Sequence, residues 1–414
     1  MGRLVVTILL VLCLIFLTTC SISTRAAMAS RAHGNLRRGL ERAMRGRLLA
    51  DGTASPPGGA VVPSHWTPGL YNVANFTIGT PPQAASAFID LSGELVWTQC
   101  SLCRRCFKQD LPVFTPNSSS TFQAAPCGGD VCKSIPTSNC SSNMCFYDGP
   151  LTSLGGNTFG FAAADKFTIG TATASLGFGC VVASDIDTMG GPSGFIGLGR
   201  TPWSLVAQMK LTKFSYCLVP HDSGKTSRLF LGSSAKLAGG KSATAQLVKT
   251  SPGDVLNQDY PLQLEGIKAG DAVISPPQGA STILVHTVAP VSFLVDSTYQ
   301  DLKKAVMKAV GAAPTSKPVE PFDLCFPKAG VSGAPSIVFT FHGAAALTVE
   351  QSRYLIEADK DTLCLAILST SWLNSTELDE MNILGSLQQE NIHMLFDLDK
   401  ETVSFEPADC SSLS

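Results

Sequence analysis

The chain has 414 residues, of which 44% are hydrophobic and 15% are charged, with a formal net charge of −2. This length allows two lobes with separate cores, and many Gly and Pro with few charges favour a β-rich, turn-rich protein over a helical one. No basic stretch interleaved with aromatic residues follows residue 50, which argues against nucleic-acid binding.

Residues 1–29 are predicted to form a secretory signal peptide. Arg3 precedes an apolar run over residues 4–17, and Ala27, Met28 and Ala29 provide a small-x-small cleavage site. A membrane anchor is the alternative, but the run is shorter than the roughly 20 residues of a spanning helix. We therefore expect cleavage, no membrane association afterwards, and a protein that is secreted, extracellular or vacuolar.

Residues 30–65 are predicted to form a basic pro-segment and a linker. Residues 30–50 contain six Arg and one acid, Glu41, whereas the chain beyond residue 50 carries 22 Lys and Arg against 31 Asp and Glu. A basic leader on an acidic body favours a pro-segment that covers a cleft, as in a zymogen; a disordered basic tail is the alternative. Residues 51–63, rich in Gly, Ala and Pro, are expected to be the linker where processing occurs.

The cysteine count predicts disulfides. Cys13 and Cys20 lie in or beside the signal peptide, which leaves an even number in the mature chain: Cys100, Cys103, Cys106, Cys127, Cys132, Cys140, Cys145, Cys180, Cys217, Cys325, Cys364 and Cys410. In a secreted protein these twelve predict six disulfides. The spacing of Cys100, Cys103 and Cys106 also suits a zinc knuckle, but secretion and the lack of a nearby His favour disulfides. N-glycosylation sequons occur at Asn75, Asn117, Asn139 and Asn374.

Short apolar segments separated by turn residues predict a mostly β fold. The predicted strands include residues 72–78, 87–90, 229–231, 283–285, 337–341 and 403–406. Two stretches have helical character, residues 204–209 and 296–310, the second with Asp296 or Ser297 as its N-cap.

The two halves of the chain repeat one pattern. In each, an apolar strand enters a polar turn, and an apolar-apolar-Gly element follows later, at residues 195–199 and 382–385. This predicts two lobes related by a pseudo-twofold axis, an N-terminal lobe over residues 66–250 and a C-terminal lobe over 251–414. In each lobe a crossing strand is expected to support the turn, with Gly where two backbones approach closely.

The segment over residues 88–100 reads Phe-Ile-Asp-Leu-Ser-Gly-Glu-Leu-Val-Trp-Thr-Gln-Cys. It resembles the active-site strand and turn of nepenthesin-type plant aspartic proteases of the pepsin family, which read Asp-Thr-Gly-Ser-Asp-Leu-Val-Trp-Thr-Gln-Cys. Further motifs follow in the family's order over residues 71–83, 100–145, 178–180, 194–200, 214–218, 322–325, 364–366, 383–385 and 396–397. The resemblance covers residues 66–410 and implies a mostly β, bilobal, pepsin-like fold.

Pepsin-type catalysis uses two carboxylates that share one proton. The resemblance makes Asp90 the first carboxylate, with Leu91 in place of a hydroxyl residue and Ser92 in place of Gly, where a Cβ is expected to crowd a tight backbone position. Counting back 13 residues from Tyr299, by the family's spacing, places His286 at the second position, with Thr287 as the neighbouring hydroxyl. Asp296 is the alternative register. His286 is expected to form an imidazolium–carboxylate pair with Asp90 at acid pH.

The substrate-covering hairpin, or flap, of the family also departs from its pattern. Residues 145–150 keep one tyrosine, Tyr147, which is either the flap tyrosine of a shortened hairpin or the first, structural tyrosine.

These departures predict a secreted pepsin-like protein with impaired proteolysis that binds a peptide or protein in the cleft between its lobes. One alternative is an active acid aspartic endopeptidase that uses Asp90 with His286 or Asp296. Another is a glycosidase inhibitor, because the cereal endoxylanase inhibitors share this fold. We expect a monomer, with no cofactor, no metal and no nucleic-acid partner.

Overall fold

A computed structural model describes residues 58–135, 138–149, 157–185, 188–251, 254–373 and 380–413. The predicted signal peptide, the arginine-rich leader, Cys13, Cys20 and Asn374 lie outside the described residues. None of the helices in the described ranges has the length and apolar character needed to span a membrane.

Strands dominate the described parts of the chain. The first fifteen are β1 (Gly59–Trp66), β2 (Asn72–Ile78), β3 (Gln83–Asp90), β4 (Val96–Gln99), β5 (Lys108–Gln109), β6 (Gln123–Ala124), β7 (Ser138–Ser141), β8 (Met144–Gly149), β9 (Thr158–Ile169), β10 (Ala172–Ser184), β11 (Thr188–Gly191), β12 (Gly194–Gly197), β13 (Lys213–Cys217), β14 (Ser227–Gly232) and β15 (Ala243–Gln246). The remainder are β16 (Pro261–Ala269), β17 (Ala272–Ile274), β18 (Thr282–Val285), β19 (Ser292–Leu294), β20 (Cys325–Pro327), β21 (Ile337–Phe341), β22 (Ala345–Val349), β23 (Leu355–Asp359), β24 (Thr362–Leu365), β25 (Ile367–Ser369), β26 (Asn382–Leu384), β27 (Ile392–Asp397) and β28 (Thr402–Pro407).

The helices described are short, with one exception. They are α1 (Asp130–Ser134), α2 (Leu205–Gln208), α3 (Asp296–Val310) and α4 (Gln351–Tyr354), together with 3-10 turns at Pro116–Ser118, Val255–Gln258, Lys328–Gly330, Thr370–Leu373 and Ser386–Gln389. All six segments predicted as strands are strands, and both predicted helices form.

Two large sheets define the two lobes. The first-lobe sheet has the order β15-β28-β27-β13-β14-β1-β2-β3-β12-β4-β10-β9-β8-β7, and the second-lobe sheet has the order β22-β21-β16-β18-β26-β19-β25. The last two strands of the chain, β27 and β28, return to the first sheet, where β27 pairs with β13. The first sheet therefore contains strands from both halves of the chain.

The first strand corrects the predicted linker. β1 starts at Gly59 and pairs antiparallel with β14 and β2, so residues 59–63 are part of the sheet. The alternation of buried Ala60 and Val62 with more exposed neighbours explains the strand, because side chains on successive residues of a strand face opposite sides. Any linker must end before this strand, and residues 51–57 lie outside the described residues.

The predicted repeat of strand and crossing element is confirmed in both lobes. β12 runs parallel to β3 and brings Gly197 beside Asp90, while β26 runs parallel to β18 and brings Leu384 beside Val285. A Cβ at Gly197 would lie 2.5 Å from the carbonyl oxygen of Gly93, so only glycine fits where this strand crosses below the turn. The same constraint holds for Gly385 in the second lobe.

Helix α3 packs one face on the second lobe through buried Tyr299, Leu302 and Val306. Its N-cap is Val295, without a side-chain cap hydrogen bond, so the prediction of Asp296 or Ser297 as cap is wrong. Asp296 is instead the first helical residue, where a negative charge is favourable near the helix N-terminus. Gly311, at φ 70°, ends the helix in the left-handed conformation.

The prediction of six disulfides is confirmed. The pairs are Cys100–Cys180, Cys103–Cys106, Cys127–Cys140, Cys132–Cys145, Cys217–Cys410 and Cys325–Cys364. The three cysteines of the zinc-knuckle alternative are all bridged. Among the described residues, no group of three or more His, Cys, Asp and Glu could hold a metal ion. The sequon residues Asn75, Asn117 and Asn139 are exposed.

Candidate active site

The turns that end β3 and β18 meet between the two lobes. The Thr287 hydroxyl accepts a hydrogen bond from the backbone N–H of Leu91 at 2.9 Å and donates one to the carbonyl oxygen of Ile89 at 2.7 Å. Both bonds are buried and join residues of opposite lobes. They place His286 and Thr287 opposite Asp90 and Leu91, as the register chosen from the spacing to Tyr299 predicts.

These two hydrogen bonds between the turns use a hydroxyl of the second lobe. Leu91 occupies the position in the first lobe that corresponds to Thr287, and its side chain is 0% exposed within the hydrophobic core. A leucine cannot make the reciprocal hydroxyl bonds. The turn of the first lobe is thus fixed by a hydroxyl from the second lobe together with its own apolar packing.

Asp90 is completely buried, and its own turn holds its carboxylate. Oδ1 accepts the backbone N–H of Ser92 at 3.1 Å, and the Asp90 carbonyl oxygen accepts N–H groups from Leu198 at 2.8 Å and Gly93 at 3.2 Å. The close approach that requires glycine falls at Gly93, where a Cβ would lie 2.9 Å from the Cα of Gly197. The expectation that Ser92 crowds the tight position is therefore wrong, because the exchanged Ser92-Gly93 order leaves glycine where the backbones meet.

His286 follows the end of β18, at the position predicted for the second catalytic residue, and its side chain is partly exposed. Its Nδ1 lies 3.0 Å from the backbone nitrogen of Ala289 and 3.3 Å from that of Val288, and both N–H groups point at it. Because a backbone N–H only donates, Nδ1 acts as the acceptor and the neutral ring carries its proton on Nε2. Desolvation in the cleft lowers the pKa of His286 to about 4. This pKa disfavours the imidazolium form of the expected pair with Asp90 above about pH 4.

Asp296 does not reach this site. Its side chain is exposed at the start of α3, where Oδ1 accepts hydrogen bonds from the Ser369 hydroxyl at 2.8 Å and from the Gln300 amide at 3.2 Å. β19 separates it from the turn that carries His286. The alternative register is therefore wrong, and its apparent motif is the first turn of a helix.

Tyr147 lies in the core of the first lobe. Its side chain is 0% exposed and belongs to a cluster with Phe88, Trp97 and Phe195. Burial raises the pKa of its phenol far above the ordinary value. The flap alternative is wrong for this residue, because a ring beneath the sheet cannot close over a ligand. The structural alternative fits, and residues 150–156, which follow the strand, lie outside the described residues.

The sequence reasoning missed Asp259 as a site residue. It follows the 3-10 turn Val255–Gln258, and its carboxylate lies close enough to Ser92 and Glu94, beside the turn of Asp90, for both side chains to act on its pKa. Desolvation, together with the charge of Glu94, raises the pKa of Asp259 to about 6 despite the opposing effect of the Ser92 side chain. Burial likewise raises the pKa of Glu94. No local sequence signal identifies Asp259, because folding alone brings it to a turn far away in the chain.

Two β lobes that present a buried carboxylate and an imidazole on facing turns define a two-lobed, pepsin-like protein. The family models described as "Xylanase inhibitor N-terminal" and "Xylanase inhibitor C-terminal" match residues 72–233 and 259–407. Aspartic proteinase nepenthesin-1 of Nepenthes gracilis is 30% identical over 91% of this chain and 86% of its own length. Aspartyl protease 37 of Oryza sativa subsp. japonica is 30% identical over 95% of this chain and 93% of its own.

The fold is shared with a solved structure. The crystal structure of basic 7S globulin from soybean superposes with a TM-score of 0.69 at 20% identity, covering 87% of this chain and 99% of that chain. The chain belongs to the pepsin-like aspartic protease family of plants, and its fold is the mostly β, bilobal fold of that family.

Proposed function

We propose that this protein binds a peptide or an extended protein segment in the cleft between its lobes and that its ability to hydrolyse peptide bonds is impaired. The observation that carries the proposal is the state of His286, whose Nδ1 accepts two backbone N–H groups. A neutral imidazole held in this way stands where pepsin-type chemistry needs a second carboxylate.

The chemical consequence follows from the proton that the two catalytic groups must share. In a carboxylate pair, repulsion keeps one proton between two groups, so that one activates water while the other protonates the carbonyl oxygen. Here Asp90 has no carboxylate across the cleft at the second position. His286 can donate a hydrogen bond from Nε2, but its other nitrogen is already used, so it cannot take a proton without losing those backbone bonds.

The frame that would hold a ligand is intact. Thr287 still joins the two turns, and glycines still support them from below. A polypeptide lying across the two facing turns, where His286 is partly exposed, would meet both lobes, which favours cleft binding as the retained activity.

An acid endopeptidase is the second candidate, favoured by the buried, oriented carboxylate of Asp90 and by the protease relatives. In that case the Nε2–H of His286 would donate to the scissile carbonyl oxygen. Inhibition of a glycosidase is a third candidate, which rests on the description of the matching family models.

We further propose that the protein is secreted, glycosylated and processed from a zymogen-like precursor, and that it works as a monomer. The six disulfides support passage through an oxidising compartment. The exposed sequon residues Asn75, Asn117 and Asn139 support modification on that route.

Proteolysis is tested by expressing the secreted form and following cleavage of a denatured protein from about pH 2.5 to about pH 7. Wild type is compared with Asp90→Ala and with His286→Asp, which restores a carboxylate. Impaired chemistry predicts no cleavage by wild type above Asp90→Ala and a gain by His286→Asp. Wild-type cleavage that Asp90→Ala abolishes would establish the endopeptidase instead. Inhibition of an endoxylanase by the same preparation would support the third candidate.

Cleft binding is tested by passing a proteolytic digest of a defined protein over the immobilised chain and identifying the retained peptides by mass spectrometry. His286→Trp fills the cleft, whereas Val273→Trp places the same bulk at a surface position that is 76% exposed. We expect retention by wild type and Val273→Trp and none by His286→Trp. Equal retention by both variants would place binding outside the cleft.

A further inference from the structure

We propose that the Cys103–Cys106 disulfide is a site of reversible thiol–disulfide exchange, at which a small thiol that carries carboxylate groups attacks the sulfur of Cys106. The two cysteines are three residues apart, with only Arg104 and Arg105 between them. Cys103 is partly exposed and Cys106 is exposed, so a thiol in solvent reaches this bond. This chemistry is independent of whether the cleft binds or hydrolyses a peptide.

Exposure separates the six disulfides that the structure describes. Four of them have both cysteines buried, namely Cys100–Cys180, Cys132–Cys145, Cys217–Cys410 and Cys325–Cys364. The second accessible disulfide, Cys127–Cys140, joins cysteines thirteen residues apart, and neither has a charged neighbour in the sequence. A disulfide that closes a shorter loop constrains the unfolded chain less, so Cys103–Cys106 is the accessible one whose opening costs the fold least.

The loop between the cysteines is fixed to β10 by its backbone. Arg104 donates its N–H to the carbonyl oxygen of Val182 at 2.9 Å, and the carbonyl oxygen of Arg105 accepts the N–H of Ser184 at 3.0 Å. Neither hydrogen bond involves a sulfur atom, so we expect both to persist when the disulfide is open.

Gln99 fixes the chain just beyond Cys106. It is 0% exposed, its Oε1 accepts the backbone N–H of Phe107 at 2.8 Å, and its Nε2 donates to the carbonyl oxygen of Phe107 at 3.0 Å. The Phe107 ring packs edge-on against Trp97 in the core of the first lobe. The loop is therefore anchored on both sides of the disulfide without it.

The two sulfurs differ in their surroundings, which gives them different roles. An incoming thiolate attacks Sγ of the exposed Cys106, the bond between the cysteines breaks, and Cys103 leaves as a thiolate that takes a proton. Sγ of Cys103 lies 3.9 Å from Gln99 Oε1, which can accept the new S–H. A second small thiol then attacks the first one in the mixed disulfide. Two small thiols are oxidised to one disulfide, and the protein disulfide gains two electrons and two protons.

Positive charge around the disulfide determines which thiol reacts. Arg104, Arg105 and Lys108 are exposed, and the nearest acidic residue in the sequence is Asp110. An excess of positive charge attracts an anion to the surface and stabilises a thiolate there. We therefore expect a thiol with carboxylate groups to react faster than a cationic one.

The test compares two thiols on the full secreted chain with its disulfides formed. The chain is mixed with glutathione, which is anionic, or with cysteamine, which is cationic, and the reaction is stopped by alkylation and mapped by mass spectrometry. Cys127–Cys140 is the matched control within each molecule. We expect Cys103–Cys106 to open first, with the glutathione adduct on Cys106. The ratio of the two opening rates should be about tenfold higher with glutathione than with cysteamine.

A double variant, Arg104→Gln with Arg105→Gln, removes the charge and keeps both backbone hydrogen bonds. It should open about tenfold more slowly with glutathione, while the rate at Cys127–Cys140 stays the same. Earlier opening of Cys127–Cys140, an adduct on Cys103, or a wild-type rate in the double variant would overturn the proposal. Thermal unfolding of the chain with only Cys103–Cys106 open should remain cooperative, and loss of the folded state on opening would also refute it.

Discussion

Replacing Thr287 with Val tests whether one hydroxyl holds the two lobes together at the site. Valine keeps the branched shape of threonine, so packing around this side chain, which is 2% exposed, changes little. The substitution leaves the N–H of Leu91 and the carbonyl oxygen of Ile89 without their buried partner. Each of these two unsatisfied buried groups costs about 1–3 kcal/mol, so we expect the free energy of unfolding to fall by about 2–6 kcal/mol.

The chain offers a matched control in Thr298→Val. Thr298 is equally buried, at 1% exposure, but its hydroxyl has no hydrogen-bond partner in the part of the chain that the structure describes. Removing an unsatisfied hydroxyl should be neutral or slightly stabilising. The measurement is the urea midpoint and the thermal unfolding temperature of each variant under identical redox conditions, so that all six disulfides persist. If Thr287→Val were no less stable than Thr298→Val, the hydroxyl between the lobes would contribute nothing to the free energy of unfolding.

Three other changes test the remaining features of the site. His286 has a folded pKa of about 4, below its unfolded value of about 6.5, so the unfolded chain binds the proton first as the pH falls. Protonation should therefore lower the free energy of unfolding by roughly 3 kcal/mol as the pH falls from about 6.5 to about 4. His286→Asn keeps a hydrogen-bond acceptor but does not titrate, so its free energy of unfolding should lack this pH dependence. Tyr147→Phe should keep both stability and peptide retention, because the buried hydroxyl has no partner among the described residues; loss of retention with intact stability would restore the flap assignment. Leu91→Thr should be more stable than Leu91→Val in urea unfolding if the new hydroxyl makes the mirror image of the Thr287 bonds, whereas an unsatisfied hydroxyl would reverse the order by about 1–3 kcal/mol.

The strands were predictable because their side chains alternate between a core face and an outer face. β21 illustrates this: Ile337, Phe339 and Phe341 are buried and the residues between them are partly exposed. The same alternation in Ala60 and Val62 was overlooked because Gly and Pro surround it. Turn-forming residues next to a strand suggested a linker, and only pairing with β14 and β2 shows that the segment belongs to the sheet.

The parts of the site that follow from spacing along the sequence were predictable. The parts that depend on which residues meet in the folded chain were not. The family's spacing back from Tyr299 was sufficient to place His286, and the structure has its turn facing that of Asp90. The burial of Tyr147 depends on β9 and β10, which cover its ring through Gly160 and Gly179. Likewise, Asp259 comes near the turn of Asp90 only once the two lobes have formed. Disulfide connectivity was open for the same reason, since cysteine number constrains the count but not the partners.

The substitutions in the Asp90 turn separate what folding needs from what catalysis needs. Folding needs a glycine where the backbones cross, and Gly93 supplies it beside Gly197 although the neighbouring residues are exchanged. It also needs a link between the two turns, and the Thr287 hydroxyl supplies two of its hydrogen bonds. Catalysis needs a second carboxylate, and His286 takes over only the acceptor role that such a group has toward its own backbone. Gly93 avoids a backbone clash and Thr287 satisfies buried backbone groups, so both serve the folded state, whereas the second carboxylate that pepsin-type chemistry uses is replaced by His286. This pattern favours a cleft retained for binding over one retained for hydrolysis.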